Sequence, residues 1–447
     1  MICLIIFILL LMILLLISSK ICDVLSPAFI MTGVFLISAL LLSFSLAKWA
    51  LPFTEGSLLI LTLGLFFAVL TDSVVKASAS TQGIAEFSSK RKPLMIPKGL
   101  AAVLFLLCLG ALAYYYYQIA HISGGNIATY HDMVISSTSS DDYDVGFFAN
   151  TGNKVICACA YVSMYIFLYN TIVCNVTIRH SLPYLLMPVI HCLRIFIAGG
   201  RLGWICFAAF VVIVGLTLFR LSTGWKTVPM GLIVKLIAAC VIFLVLFYLS
   251  TNLVREFGTS KNLMDYLTVF LGVPISSFDM FVTDPVSNAS NLIGQETFGR
   301  LYNFLSKLGF DFGYVSTALE YRYAGFNASG NVYTFFRRPL SDFGLLGMLL
   351  FTVGVVAIFS LLYYRAVHCK WTKGMNYSLL FYGYFANIFV LASVDNELIQ
   401  MFQPSEILQC LILVLVARYA VKERFVHDDA NVPQIAAATT VRSASDG

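Results

Sequence analysis

The sequence predicts an all-α polytopic membrane protein with about 11 transmembrane helices (10–12) and one large extracytoplasmic loop. Composition is the first observation behind this class, because 59% of the 447 residues are hydrophobic and 11% are charged. A soluble chain carries about 25% charged residues. The second observation is that apolar runs of about 20 residues, which cross a bilayer as a helix, recur along the chain. A lipid bilayer is therefore the first predicted partner.

The apolar runs can be placed in order. They fall near residues 1–17, 27–47, 56–71, 98–118, 152–174, 181–198, 202–220, 228–250, 341–363, 375–393 and 405–420. The first run has no basic segment before it and no small-residue cleavage pattern after it, so we expect a retained helix. Residues 421–447 have no apolar periodicity and are predicted to form a disordered cytoplasmic tail.

Basic residues in short loops predict the orientation, because Lys and Arg are held back in the cytoplasm. The loop 71–98 carries five basic residues, whereas the loop 121–150 carries none and has four Asp. The same alternation continues along the chain. It predicts an extracytoplasmic N-terminus, an outer loop near 121–150 and a cytoplasmic C-terminus.

The longest polar stretch, 251–340, separates helices one to eight (1–250) from helices nine to eleven (341–420). It is predicted to be the large extracytoplasmic loop, since long loops translocate largely regardless of charge. Within it, residues 264–282 are almost as apolar as a span but include Gly272 and Pro274. We expect re-entrant or interfacial helices there.

Composition and motifs exclude several function classes. A net charge of +5 spread over many apolar runs does not predict nucleic-acid binding. The chain has no Walker-type glycine loop, no G-x-S-x-G, no H-E-x-x-H and no cysteine-rich metal site. We therefore expect neither a cofactor nor a metal ion.

A first group of polar residues lies where the predicted sixth and seventh helices meet on the outer side. His191, Arg194 and Arg201 are three and seven residues apart, which places them near one helical face. A charge inside a membrane segment is costly, so Arg194 is expected to face a cavity or to reach the interface. Interfacial anchoring is the alternative to ligand binding for both arginines.

A second group closes the long loop, in the segment 320–347. Arginine holds phosphate oxygens bidentately, so Arg322, Arg337 and Arg338 predict an anion site beside the membrane. Contact with lipid headgroups is the alternative for Arg337 and Arg338. Glu320 is a candidate general base, and Asp342 is expected to cap the ninth helix.

Two acidic patterns are weaker. Asp142 and Asp144 have the D-x-D spacing that holds a metal in many glycosyltransferases, but an acidic solvated loop is the more common origin of this pattern. The same holds for Asp395 and Glu397 in the last outer loop.

The plan of the chain resembles the O-antigen polymerases, the Wzy-type oligosaccharide repeat-unit polymerases, with a GT-C-like polymerase/ligase architecture. The resemblance rests on the spans, the late outer loop, the GGR turn at 199–201 and the run GNVYTFFRRPLSDFGLLG at 330–347. It implies a glycosyltransferase in the bacterial cell inner membrane that acts on its outer face. The expected substrates are undecaprenyl pyrophosphate-linked oligosaccharides, and a chain-length regulator and a flippase are the expected protein partners.

On this resemblance, the acceptor hydroxyl displaces undecaprenyl pyrophosphate from the donor in one inverting step. His191 or Glu320 is expected to deprotonate that hydroxyl. Five arginines are expected to bind the pyrophosphate: Arg194, Arg201, Arg322, Arg337 and Arg338.

Two alternatives remain beside the polymerase. An O-antigen ligase-like transferase uses the same donor and has a similar plan. From a different class, a polysaccharide-unit flippase or secondary transporter is also polytopic, although such proteins usually contain internal repeats, and we find none here.

Overall fold

The structure is a computed structural model that describes residues 1–79, 91–126, 129–130, 133, 145–199, 201–224, 263–286, 292–324, 328–368 and 374–423. Its regular structure is almost entirely helical. Among the described residues, nine helices are long and apolar enough to cross a membrane. The predicted class, an all-α polytopic membrane protein, is confirmed at this level.

The described residues up to 224 form the first set of elements. They are α1 (Ile2–Ile21), α2 (Pro27–Ser45), α3 (Glu55–Ala79), β1 (Leu94–Met95), α4 (Lys98–Ile122), α5 (Phe147–Ile172), α6 (Ile178–Ser181), α7 (Leu186–Ala198) and α8 (Arg201–Ser222). A 3-10 turn, Leu182–Leu185, joins α6 to α7.

The described residues from 263 onward form the second set. They are α9 (Leu263–Leu267), α10 (Val273–Thr283), α11 (Gln295–Lys307), β2 (Arg322–Ala324), β3 (Ala328–Gly330), α12 (Arg337–His368), α13 (Tyr377–Tyr384), α14 (Asn387–Val390), α15 (Pro404–Leu415) and β4 (Lys422–Glu423). A π turn, Thr268–Gly272, joins α9 to α10, a 3-10 helix, Glu397–Phe402, precedes α15, and a π turn, Val416–Ala420, follows α15.

Most predicted spans coincide with these helices. Eight of the nine long helices correspond to a predicted span, seven of them to within about five residues at each end, and the eighth, α3, extends well beyond its span. The span predicted at 56–71 continues to Ala79, because the polar residues that suggested its end, including Asp72, lie inside the helix. The predicted spans 375–393 and 405–420 correspond to shorter helices, and 228–250 lies outside the described residues. The number of spans stays a prediction.

Both short sheets are antiparallel two-stranded pairs. Leu94 pairs with Glu423 and Met95 with Lys422, so the first residues after the last helix are paired to the segment before α4. Residues 424–447, which hold most of the predicted tail, lie outside the described part of the chain. Strands β2 and β3 pair within the predicted large loop.

Contacts at the helix ends define two faces of the bundle. The face with the α2–α3 connection also carries α9 and α10, since Lys48 pairs with Asp265 at 2.8 Å and Asp279 accepts a backbone N–H of that connection at 2.6 Å. The opposite face carries the α1–α2 connection, where Asp23 pairs with Arg220 at 2.7 Å. These are named the α2–α3 face and the α1–α2 face. The predicted orientation makes the first extracytoplasmic, and it stays a prediction.

The remaining long apolar helix is Met264–Thr283, for which the sequence predicts a re-entrant or interfacial position. Its contacts run along the α2–α3 connection. Asp265 pairs with Lys48 near its start, and the Ser276 hydroxyl donates to the Pro52 carbonyl at 3.0 Å. These are contacts that an interfacial helix would make, and the interfacial position stays a prediction.

The largest apolar core lies between α1, α2, α3 and α12. It includes Phe336, which has no exposed surface and immediately precedes α12. Gly64 of α3 lies against this ring, since a Cβ added there would be 2.5 Å from a ring carbon of Phe336. The close approach of α3 to the start of α12 therefore requires glycine at this position.

A Gly64→Ala substitution should destabilise the protein by about 1–3 kcal/mol, because the added methyl group forces the buried Phe336 ring to move. Thermal unfolding of the purified protein in detergent measures the change. Gly110→Ala in α4 is the matched control, because a Cβ there meets no atom within 4 Å. An unchanged unfolding temperature for Gly64→Ala would contradict the packing of α3 on Phe336.

Candidate active site

Arg337 is buried at the start of α12 and is held by two carboxylates. Its Nη1 donates to Glu296 Oε2 at 2.6 Å, and its Nη2 lies 3.1 Å from Glu320 Oε2. The Phe281 ring covers the guanidinium, with Cζ 3.4 Å from the ring centroid. The Arg337 side chain has 0% exposure. Its charge is thus balanced inside the protein, an arrangement that suits positioning of the loop better than direct contact with pyrophosphate.

Arg322 and Glu320 belong to the same network. Arg322 Nη1 donates to the carbonyl of Met280 at 3.0 Å, near the C-terminus of α10, where the helix dipole favours a cation. Its Nε lies 3.5 Å from Glu320 Oε1. Glu320 therefore bridges Arg322 and Arg337. All three residues have predicted chemical roles, and all three are engaged by other protein groups.

Asp342 caps α11. Its two carboxylate oxygens accept the backbone N–H groups of Glu296 at 3.0 Å and Thr297 at 2.7 Å. The expectation that Asp342 caps its own helix is wrong, because α12 begins at Arg337 and is interrupted just after Asp342 by Gly344, with φ +66° and ψ −173°. A positive φ favours glycine at this break. Asp342 thus fixes the N-terminus of α11 against the first turns of α12.

Arg338 and Arg300 converge beside an acid on the α14–α15 connection. Arg338 donates to two backbone carbonyls of Glu296 and Thr317, and its Nε lies 3.9 Å from Asp395 Oδ1. Arg300 of α11 interacts electrostatically with Arg338 and Asp395. Both Nε atoms are buried and have no hydrogen-bond partner among the described residues. Two adjacent cations with unused donors favour an anion.

The charges at this place perturb each other. Burial, followed by the positive charge of Arg338, lowers the pKa of Arg300. Burial, followed by the negative charge of Asp395, raises the pKa of Glu397 to about 7. Glu397 Oε2 is buried and has no hydrogen-bond partner among the described residues. A carboxylate that titrates near neutral pH is suited to accept a proton during catalysis.

Arg300, Arg338, Asp395 and Glu397 form what we name the central charge cluster. Two elements hold it in place. Glu397 begins the 3-10 helix Glu397–Phe402, which packs on α11 through a ring contact between Phe298 and Phe402 at 4.8 Å. The Asn396 side chain donates to the Phe335 carbonyl at 3.2 Å and so joins the α14–α15 connection to the segment before α12.

The cluster continues toward α5, α7 and α15. Glu406 of α15 accepts a hydrogen bond from the Tyr384 hydroxyl at 3.2 Å and interacts electrostatically with Lys154 and Arg300. Glu406, Lys154 and Arg194 all act on Cys157 of α5. Arg194 and Glu406 therefore act on the same residue, Cys157, and Glu406 also interacts with Arg300 of the central charge cluster.

Only part of the first predicted group, which is His191, Arg194 and Arg201, lies near the central charge cluster. Arg194 Nε is buried and has no hydrogen-bond partner among the described residues. His191 is buried between the rings of Tyr161 and Phe207, at 5.7 Å and 5.2 Å between ring centroids. Arg201 begins α8, but its side chain lies outside the described part of the structure, as do Asp142 and Asp144.

Several residues of the cluster were not predicted as site residues. Arg300 lies in a polar loop where one more cation carries no signal, and Asp395 and Glu397 had been attributed to an ordinary acidic loop. Glu406 carried a usable signal, because a carboxylate near the start of an apolar helix is costly unless it is paired or functional. Within the described residues, no group of three or more His, Cys, Asp or Glu is placed to hold a metal ion.

Comparisons of the chain with protein-family models, curated proteins and solved structures find no match. A functional conclusion therefore depends on the residues of the site and on the motif resemblance of the segment 330–347.

Proposed function

We propose that the chain polymerises oligosaccharide repeat units carried on undecaprenyl pyrophosphate, at the outer face of a bacterial inner membrane. The central charge cluster carries this proposal. It combines two guanidinium groups, whose buried Nε–H donors make no hydrogen bond to a described residue, with Glu397, whose pKa burial and Asp395 raise to about 7. This combination suits a reaction in which an anion leaves and a hydroxyl loses its proton. The resemblance of the segment 330–347 supplies the class of substrate.

Arg300 and Arg338 bind the pyrophosphate of the donor. The charge on the leaving pyrophosphate grows as the glycosyl bond breaks, so fixed cations stabilise the transition state more than the ground state. Each charge-assisted hydrogen bond is worth about 1.5–3 kcal/mol. Arg194, which acts electrostatically on Cys157 of α5 together with Glu406, extends this anion site.

Glu397 is the general base. Its carboxylate takes the proton of the acceptor hydroxyl while the oxygen attacks the anomeric carbon of the donor glycan. The bond from that carbon to the pyrophosphate oxygen breaks, and undecaprenyl pyrophosphate leaves with the electron pair. A base and a leaving group on opposite faces of the sugar give inversion, by analogy with inverting glycosidases. No nucleotide is needed, because the lipid pyrophosphate is the activated donor.

Arg337, Arg322 and Glu320 are positioning residues in this proposal. Their ion pairs and helix contacts join the loop strands to α10, α11 and α12. His191 packs among aromatic rings of α5 and α8, and it supports the wall beside Arg194 instead of acting as the base.

Deletion of the gene, followed by gel analysis of surface glycan, tests the proposal. The deletion strain should show a single repeat unit on the lipid core, and the wild-type gene should restore the ladder of longer chains. Arg300→Ala at normal abundance should reduce the ladder by at least about 100-fold, because one donor to a developing charge is lost. Lys307→Ala, an exposed cation on the same helix, should restore the ladder fully.

Other outcomes overturn parts of this proposal. A full ladder from Arg300→Ala would remove Arg300 from the mechanism. Complete loss of repeat units on the core, with polymer left on the lipid carrier, would indicate a ligase. Repeat units trapped on the cytoplasmic face would indicate a transporter.

A further inference from the structure

A second buried carboxyl group lies far from the central charge cluster, toward the α1–α2 face. Asp72 is in the last third of α3 and has 0% exposure. The Ser26 hydroxyl donates to its Oδ2, and the Ser360 hydroxyl of α12 donates to its Oδ1 at 2.5 Å. The Cys22 side chain is a third hydrogen-bond partner, and all three groups are neutral.

The neighbouring cations are engaged elsewhere. Arg220 of α8 pairs with Asp23 at 2.7 Å, and Lys76 donates to the Cys22 carbonyl at 2.8 Å. Among the described residues, no Lys or Arg forms an ion pair with Asp72. An ionised carboxylate in such a place loses its hydration without compensation from a cation, which strongly favours the protonated form.

A further hydroxyl faces the same place. Tyr364 of α12 is 1% exposed, and its hydroxyl group lies next to Ser26. This hydroxyl lies in the electrostatic field of Asp72 and Cys22. A hydroxyl group can both donate and accept, so Tyr364 beside Ser26 adds donor and acceptor capacity for a proton that moves among oxygens.

We propose that Asp72 is a proton-binding site, filled from the α1–α2 face, that holds α3 against α12. Asp23 provides the access, because its side chain is 15% exposed and Asp23 lies three residues before Ser26. In the occupied state the Asp72 carboxyl group is neutral and shares its proton with Ser26 and Ser360. This inference goes beyond the proposed transferase function and does not depend on it.

The groups that face Asp72 set the conditions for this site. Four groups act on it directly: Cys22, Asp23, Ser26 and Ser360. Tyr364 of α12 and Tyr382 of α13 lie in its electrostatic field. Arg220 of α8 and Tyr363 of α12 contact Asp23. Tyr363 donates a hydrogen bond to Asp23 at 2.6 Å, so Asp23 has a neutral donor in addition to its ion pair with Arg220. Asp23 is thus the paired carboxylate at this face, and Asp72 is the unpaired one.

The test uses the purified full chain in lipid nanodiscs. Asp72→Asn, which resembles a protonated Asp in shape and charge, should unfold within about 2 °C of wild type at pH 6 and pH 7. Infrared difference spectra of the wild type should contain a protonated carboxyl band that shifts in heavy water and is absent from Asp72→Asn. Asp23→Asn is the contrast, because it removes a carboxylate that is paired with Arg220 and should lower the unfolding temperature more than Asp72→Asn does.

Two results would overturn the proposal. One is a wild-type infrared spectrum with no carboxyl band that depends on Asp72. The other is an Asp72→Asn protein that is destabilised as strongly as Asp23→Asn, which would mean that the native carboxyl group is ionised. A wild-type spectrum with no protonated carboxyl band at all would overturn the proposal even if a variant fails to fold.

Discussion

Glu397→Gln should abolish chain elongation while leaving the protein folded. Glutamine keeps the size of the side chain but cannot accept the proton of the acceptor hydroxyl, and loss of a general base costs about 10²–10⁴-fold in rate. The measurement is the rate of polymer formation from lipid-linked repeat units by purified protein. Glu320→Gln is the matched control for loss of a carboxylate that is paired with arginine, and it should act through stability and not through proton transfer.

The pH dependence of the polymerisation rate is a second test of Glu397 as the general base. Burial and Asp395 raise the pKa of Glu397 to about 7, so the ionised base is scarce below that pH and dominant above it. The wild-type rate should therefore rise as pH increases through about 7 and then level off. Wild-type activity that is flat between pH 6 and pH 8, or a Glu397→Gln protein with full activity, would remove Glu397 from the role of base.

Arg337→Ala should cause the largest loss of stability of any substitution considered. It leaves the Glu296 carboxylate, which is 3% exposed, and part of Glu320 without their shared cation. Breaking a buried pair from one side costs about 3–5 kcal/mol, because an uncompensated charge stays buried. The free energy of unfolding in detergent measures the loss. Lys307→Ala should change that free energy by less than about 0.5 kcal/mol, since Lys307 is exposed.

A double substitution separates charge from packing in this prediction. Adding Glu296→Gln to Arg337→Ala removes the orphaned carboxylate and should recover a measurable part of the lost stability. If the double variant is no more stable than Arg337→Ala, the buried ion pair is not the cause of the loss. Contact of the guanidinium with Phe281 would then account for it.

The membrane class and most long helices were predictable, because apolar runs of span length need no tertiary context. The length of α3 was not predictable in the same way. Asp72 indicates a loop in the sequence, but in the fold it is buried and accepts hydrogen bonds from two serine hydroxyls. The charge of a residue predicts a boundary only when its partners are close in the chain. Here the partner Ser360 is 288 residues away.

The candidate site was predictable in kind but not in its members. Arginine density in the segment 320–347 indicates a site at the end of the long loop, and this stays a prediction. The sequence could not distinguish Arg337, which two carboxylates contact at 2.6 Å and 3.1 Å, from Arg338, whose carboxylate partner Asp395 lies 3.9 Å away. The sequence favours an ordinary acidic outer loop for Glu397, because the burial and the neighbouring Asp395 that raise its pKa are visible only in the fold.

The most direct measurement is reconstitution of the purified protein in liposomes with undecaprenyl pyrophosphate-linked repeat units as the only substrate. We expect products of two and more units that remain on the lipid carrier, with release of one undecaprenyl pyrophosphate for each linkage formed. The Arg300→Ala and Glu397→Gln proteins should release little, and the Lys307→Ala protein should match wild type. Absence of any linked product from folded wild-type protein, with donor and acceptor both accessible on the active face, would contradict the polymerase function.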